Sequence, residues 1–262
     1  MSDLTVNEIT AGYGKQPVIE NISFQLENGI LMGVIGANGS GKTTLLKALC
    51  GILPHRGTCM LEQTLLEELS ARQIAKLVSY IPQRSGISID ISALDVVLMG
   101  FNPRLGLLEH PNKAMKETAR LALEQVGLAG KEETNYLHLS EGQKQLCILA
   151  RTLVSDSRLL LLDEPESALD FRFRHQMLSL LRGWAASRDR SAVVTLHDPA
   201  LALNFCDQLL LLSDGGVLGI IEPKTDPLDK MEQMLSMVYG SISLHRCYNR
   251  KGAAQIVMLR ED

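Results

Sequence analysis

Hydrophobic and polar positions alternate at the start of this chain: Leu4 and Val6 stand between polar neighbours, and Ile22, Phe24 and Leu26 repeat the pattern. A period of two predicts half-buried antiparallel strands. Ile30–Ile35 is instead a short apolar run ending at Gly36, as expected of a strand covered on both faces. Thr43 to Leu49 reads as a helix. Ser70 and Gln73 have capping-box spacing ahead of a helix through about Leu77, and Val78–Ile81 returns to strand.

From about Arg84 to Leu153 the pattern changes. Ser92 and Asp95 again have capping-box spacing, before the apolar Val96–Met99. Met115, Ala119, Ala122 and Val126 share one helical face, which Gly127 would end. Strand signals are nearly absent here, so a helical insertion is predicted. Apolar strands return at Leu159–Leu162, Val193–Leu196 and Leu209–Leu212, with a helix around Phe173–Arg188 between the first two. Strands alternating with helices predict a largely parallel α/β sheet with its ligand at the strand C-terminal ends. Beyond about Glu222 the pattern weakens, and Met231–Tyr239 is the last helix candidate.

Composition narrows the picture only a little. At 262 residues the chain can form one large domain or a domain with an inserted subdomain. A formal net charge of -4 leaves no electrostatic footprint for nucleic acid, so none is expected as a direct partner. The cysteines (Cys50, Cys59, Cys147, Cys206, Cys247) are scattered and never form a C-x-x-C pair. That argues against a disulfide framework or a zinc site and for a reducing compartment. The N-terminus is neither basic nor apolar enough for a signal peptide. No apolar run approaches the roughly 18–20 residues needed to cross a bilayer, so any spanning falls to another chain.

Two motifs carry candidate chemistry. Gly36-Ala37-Asn38-Gly39-Ser40-Gly41-Lys42-Thr43-Thr44 lies between a buried strand and a helix, the context a phosphate-binding loop requires. Glycines let the backbone wrap close to phosphate, and successive N–H groups with the helix N-terminus supply partial positive charge. Lys42 would reach the β- and γ-phosphates, and the Thr43 hydroxyl would ligate Mg²⁺; the plain alternative is a glycine-rich turn before a helix. The second motif is the strand Leu159–Leu162 ending in Asp163-Glu164-Pro165. Asp163 would hold Mg²⁺ through its water shell, leaving Glu164 to polarise the attacking water. Its plain alternative is a strand followed by an acidic turn.

Leu139-Ser140-Glu141-Gly142-Gln143, some twenty residues before Asp163, resembles the signature peptide of the ATP-binding-cassette (ABC) ATPases. The resemblance covers nearly the whole chain, with its motifs in order. It implies a P-loop NTPase (RecA-like) α/β fold: a parallel sheet core, an antiparallel β subdomain and an inserted α-helical subdomain. The implied ATPase domain is 1–240, with core 1–83 and 156–222 and helical subdomain about 84–155, followed by a C-terminal tail 241–262. Tyr13 matches the aromatic residue that stacks on adenine. Gln83 matches the Q-loop glutamine, which serves both the metal and the attacking water. Ser167–Asp170 matches the D-loop, and His197 the switch histidine facing the γ-phosphate. Ser140 and Gln143 have capping-box spacing, so the signature peptide opens a helix whose N-terminus attracts an anion. In the family that anion is the γ-phosphate held by a second copy, so Ser140, Gly142, Gln143 and Asp170 complete the nucleotide site of a head-to-tail dimer.

Two positions depart from the family pattern. Glu141 takes a usually glycine-like place and would repel phosphate if aimed at it, so it is expected to point away. Glu166 stands where Thr is more frequent and adds charge near Glu164.

Ser92 to Leu108, together with Leu196-His197-Asp198, Leu201-Ala202-Leu203 and Cys206-Asp207, resembles importer ATPases for iron-siderophores, haem, cobalamin and related metal chelates. The resemblance implies an ATP-hydrolysing energy-coupling subunit that uses ATP and Mg²⁺. It would be peripheral on the cytoplasmic face of the membrane. Its partners would be a second copy of itself, polytopic permease subunits and, indirectly, a substrate-binding protein. The alternative is an ABC ATPase acting as a clamp on nucleic acid or the ribosome. Val96–Met99 and Phe101 would either line a groove for a short helix of a membrane subunit or fill the helical subdomain's own core.

Overall fold

The computed structural model describes residues 2–83, 86–106, 108–187 and 189–261. The insertion boundary expected at Arg84, the importer-like position Leu107 and the helix end expected at Arg188 lie outside the described residues.

Strands β1 (Ser2–Ala11) and β2 (Ile19–Glu27) pair antiparallel, with Val6 opposite Phe24. After β3 (Leu31–Gly36) and α1 (Lys42–Leu49), β4 (His55–Leu61) and the short β5 (Thr64–Leu65) complete a sheet in the order β2-β1-β4-β5. The chain then runs through α2 (Ala71–Leu77), opened by the expected Ser70/Gln73 capping box, into β6 (Val78–Ile81). Helices α3 (Ala93–Leu98), α4 (Lys113–Gln125) and α5 (Glu141–Leu153) follow, without an intervening strand among the described residues. Strand β7 (Leu159–Asp163), α6 (Phe171–Ala185), β8 (Ser191–Thr195), α7 (Pro199–Phe205), β9 (Gln208–Ser213) and β10 (Gly216–Ile221) return the chain to the main sheet.

The main sheet has the order β10-β9-β3-β8-β7-β6, parallel except for β10. Both of its faces are covered, which is why its strands read as unbroken apolar runs. Alternate residues divide between two cores. Met32, Val34, Leu159, Leu161, Leu210 and Leu212 pack with α1 and the antiparallel sheet; Leu31, Ile35, Leu160, Leu162, Leu209 and Leu211 pack with the helices on the other face.

Within the helical layer, Val96 and Val97 are fully buried and Leu98 nearly so, packed among α4 and α5. They form core; only Met99 and Phe101 of that segment stay partly accessible. Helix α7 carries no advance signal in the hydrophobic period. Asp198 caps it by accepting the N–H groups of Ala200 and Leu201, and Pro199 occupies its first turn.

The last stretch is folded too. Helix α8 (Leu228–Tyr239) leads into an antiparallel hairpin of β11 (Ile242–Tyr248) and β12 (Ala254–Arg260). Ile242, Leu244 and Ile256 face the core. Asn204 of α7 holds the hairpin by donating to the Ile256 carbonyl (2.8 Å) and accepting its N–H (2.9 Å).

Candidate functional site

The neighbouring strands β3, β8, β7 and β6 point the same way, so Gly36, Thr195, Asp163 and Ile81 end at one edge of the sheet. Ligands of open α/β sheets bind beyond that edge. Gly36 leads into a loop whose Gly39 and Gly41 have φ of 84° and 97°. That left-handed backbone strains any residue with a Cβ. At Gly41 a Cβ would also lie 2.3 Å from Ile19 Cγ2. Asn38, Gly39, Gly41, Lys42, Thr43 and Thr44 line a cavity of about 160 Å³ with Val18 and Glu164. Ser40 is buried beneath the loop, its Oγ unpartnered among the described residues.

Lys42 folds back over the loop. Its Nζ donates to the carbonyls of Gly36 (2.9 Å) and Ala37 (3.0 Å). Burial lowers its pKa, while the nearby charges of Glu164 and Asp163 oppose that shift.

Thr43 Oγ1 donates to Asp163 Oδ1 (3.0 Å), and Thr195 Oγ1 donates to the same oxygen (3.0 Å). Tyr80 OH reaches Asp163 Oδ2 at 3.4 Å, and burial followed by the Asp163 charge pushes its pKa up. Thr195 also accepts the Glu164 N–H (2.8 Å), so one hydroxyl fixes both acidic residues. Glu164 itself turns the chain with φ of 49° and is buried. Its Oε2 is met from two sides, by Gln83 Nε2 at 2.5 Å and His197 Nε2 at 2.7 Å. His197 Nε2 therefore carries the hydrogen in this contact.

The structure thus gathers Lys42, Thr43, Gln83, Asp163, Glu164 and His197 into one cluster. Thr195 and Tyr80 belong to it as well, although the sequence did not single them out. A hydroxyl residue ending the apolar run Val193–Val194 was the one available signal for Thr195.

Tyr13 lies beside the same helix: Lys47 Nζ of α1 is 3.4 Å from its hydroxyl and 5.7 Å from its ring centroid. The ring is 57% exposed, which leaves it open to a planar ligand.

Ser140, Gly142, Gln143 and Asp170 form a separate group. Ser140 caps α5, accepting the Gln143 N–H (3.3 Å) while Gln143 Oε1 accepts the Ser140 N–H (3.1 Å). A Cβ on Gly142 would lie 3.2 Å from the Ala168 carbonyl oxygen. Asp170 caps α6 through the Phe173 N–H (2.9 Å). Glu141 turns to Lys144 of its own helix (2.7 Å). No hydrogen bond among the described residues joins this group to the phosphate loop.

The donor set at Thr43 and Asp163 is all oxygen with one carboxylate, which suits Mg²⁺ shared with phosphates. The glycine cradle, a cation at its rim and an anchored carboxylate beside it suit a triphosphate and a water.

The family model described as ABC transporter matches residues 19–167. The hemin import ATP-binding protein HmuV of Bordetella pertussis is 37% identical over 248 residues, covering 90% of this chain and 92% of that protein. The manganese transport system ATP-binding protein MntB of Bacillus subtilis is 34% identical over 215 residues, covering 81% of this chain and 84% of its own. Among solved structures, an inward-facing metal-chelate type ABC transporter superposes with a TM-score of 0.83 at 26% identity, covering 100% of this chain and 99% of that one.

Proposed function

Because the chain belongs to the ABC transporter family of ATP-binding subunits and is an ATPase, we propose that it drives import of a metal chelate, haem or an iron chelate foremost. The cluster around Glu164 is the observation that carries hydrolysis: a carboxylate with one oxygen pinned by Gln83 and His197 keeps the other for water. The cargo class is supported by the hemin importer relative and the metal-chelate structural neighbour.

In this reading Lys42 leaves the Gly36 and Ala37 carbonyls for the β- and γ-phosphates. The N–H groups from Gly39 to Thr44 cradle the phosphate oxygens, with Asn38 and Ser40 shaping the loop, and Tyr13 stacks on the adenine. Thr43 and Asp163, with Gln83 nearby, would hold Mg²⁺, which when bound neutralises charge on the phosphate oxygens. Glu164 orients the attacking water and takes its proton, and His197 and Gln83 keep Glu164 in place.

Ser140, Gly142, Gln143 and Asp170 lack a phosphate in their own chain. Their place is the nucleotide of a second copy, arranged head-to-tail. No described helix is long and apolar enough to cross a membrane, so polytopic permease subunits supply the pathway, with this chain on their cytoplasmic face and a substrate-binding protein delivering cargo. The site residues and the division into a core, a helical subdomain of about 84–155 and a C-terminal segment belong to this proposal.

Affinity purification of the tagged chain from detergent-solubilised membranes tests it. A copurifying polytopic permease, with ATPase activity raised by haem-loaded or iron-chelate-loaded binding protein, is the expected result. Recovery with ribosomes or nucleic acid alone would overturn the importer reading.

A further inference from the structure

His197 is held at both ends by a single turn. Its imidazole meets Glu164 Oε2, while its backbone N–H donates to Glu166 Oε1 (3.2 Å), two residues further along the same chain segment. The turn is itself tied, with Ser167 N–H on the Glu164 carbonyl and Leu169 N–H on the Glu166 carbonyl. Glu166 is 3% exposed, and its Oε2 is buried without a partner among the described residues.

Burying a carboxyl with one oxygen unpaired costs stability, so filling space does not account for it. Its carboxyl meets its own backbone N–H and, from outside its own turn, the main chain of the residue that holds Glu164. The surrounding ionisable groups are Glu164, His197 and the Cys206 thiol. Burial raises the Glu166 pKa, with Glu164 adding to the effect and the His197 side chain opposing it.

We propose that Glu166 is a positioning residue for ATP hydrolysis: through the His197 backbone it sets the imidazole against Glu164. The inference rests on the roles given above to Glu164 and His197. A tether on the peptide N–H limits where the ring can sit, and misplacing a group by about 1 Å can cost on the order of 10²-fold in rate. Glu166 touches neither the water nor the phosphates. Its removal lowers kcat and leaves ATP binding alone.

The test is a double-mutant cycle on the full-length chain, with steady-state ATPase and fluorescent-nucleotide binding as readouts. Glu166→Met fills similar space without an acceptor, and Glu166→Gln keeps one. Glu166→Ala serves if the methionine variant does not fold. The acceptor-free variant is expected to lower kcat about 10-fold with KM and nucleotide affinity within about 2-fold, and Glu166→Gln to stay within about 2-fold of wild type. In a His197→Ala background the same acceptor-free change is expected to add less than about 2-fold. Equal losses in both backgrounds, or a Glu166→Gln variant as slow as Glu166→Met, would overturn the positioning role while leaving Glu164 and His197 intact. A His197→Ala variant hydrolysing at the wild-type rate would instead sink the underlying site assignment, and the positioning role with it.

Discussion

Replacing Glu164 with Gln removes the proposed base while changing little else, and the structure says why. Glu164 Oε2 accepts from both Gln83 Nε2 and His197 Nε2. An amide oxygen placed there keeps both contacts and turns its NH₂ towards the cavity. The opposite orientation sets NH₂ against two donors and forfeits two hydrogen bonds, at about 1–3 kcal/mol each for the buried groups left unpaired. The first orientation therefore dominates, and thermal stability is expected to change by no more than about 1 kcal/mol. The NH₂ facing the water cannot take a proton. Loss of a positioned general base costs about 10²–10⁴ in kcat, or about 3–5 kcal/mol of barrier.

Binding moves the other way. Glu164 lines the cavity of about 160 Å³ beside Lys42, so its charge repels an entering triphosphate. Removing that charge leaves ATP affinity unchanged or improved. Single-turnover hydrolysis of γ-labelled ATP, paired with equilibrium nucleotide binding, separates the two effects. A drop in kcat below about 10-fold would refute the role, because positioned acids and bases contribute more than that. So would a loss of binding that matched the loss of rate.

Further outcomes follow from the same contacts. Tyr13→Ala should raise the KM for ATP by about 5–150-fold, from about 1–3 kcal/mol of stacking, while Tyr13→Trp retains it; unchanged KM in both would remove Tyr13 from the base site. Thr195→Val leaves Asp163 and the Glu164 N–H each short of a partner, so unfolding in urea should show a loss of about 1–3 kcal/mol, largely restored by Thr195→Ser. Glu166 has a pKa raised from 4.5, so its native form holds a proton more tightly than its unfolded form. Its contribution is present in full below 4.5 and lost as pH rises through the raised value. Glu166→Gln should therefore gain melting temperature over wild type as pH is raised from 4 to 8, and a pH-independent difference would contradict the burial of that carboxyl.

The phosphate loop and the acidic pair were legible because their chemistry is local: spacing from Gly36 to Thr43 and a strand ending in Asp163-Glu164 need no knowledge of the sheet. Thr195 and Tyr80 were not legible. Each reaches Asp163 only because β6, β7 and β8 are neighbours in an order that no local pattern encodes. The apolar Val96–Leu98 looks the same in sequence whether it lines a groove or fills a core, and α4 and α5 decide for core. Helix α7 spans seven residues, too few for a periodicity of 3.6 to show, so the Asp198-Pro199 cap was its one clear mark. The C-terminal hairpin shows half of its alternation: Ile242 and Leu244 point inward, while Arg246 and Tyr248 lie exposed.

The two groups of site residues are less separate than their distance along the chain suggests. Gly142 packs against the Ala168 carbonyl, so the start of α5 and the D-loop segment touch within one chain. That segment runs back through the Leu169–Glu166 and Ser167–Glu164 hydrogen bonds to the turn that holds His197 and Glu164. In the proposed dimer, a phosphate of the opposite copy seated on Ser140 and Gly142 presses on a surface backed by Ala168. A Cβ at Gly142 would lie 3.2 Å from that carbonyl, tighter than ordinary van der Waals contact. Gly142→Ala is therefore expected to crowd the surface proposed to meet the partner's nucleotide and to lower ATPase activity. Wild-type activity in that variant would remove Gly142 from the site.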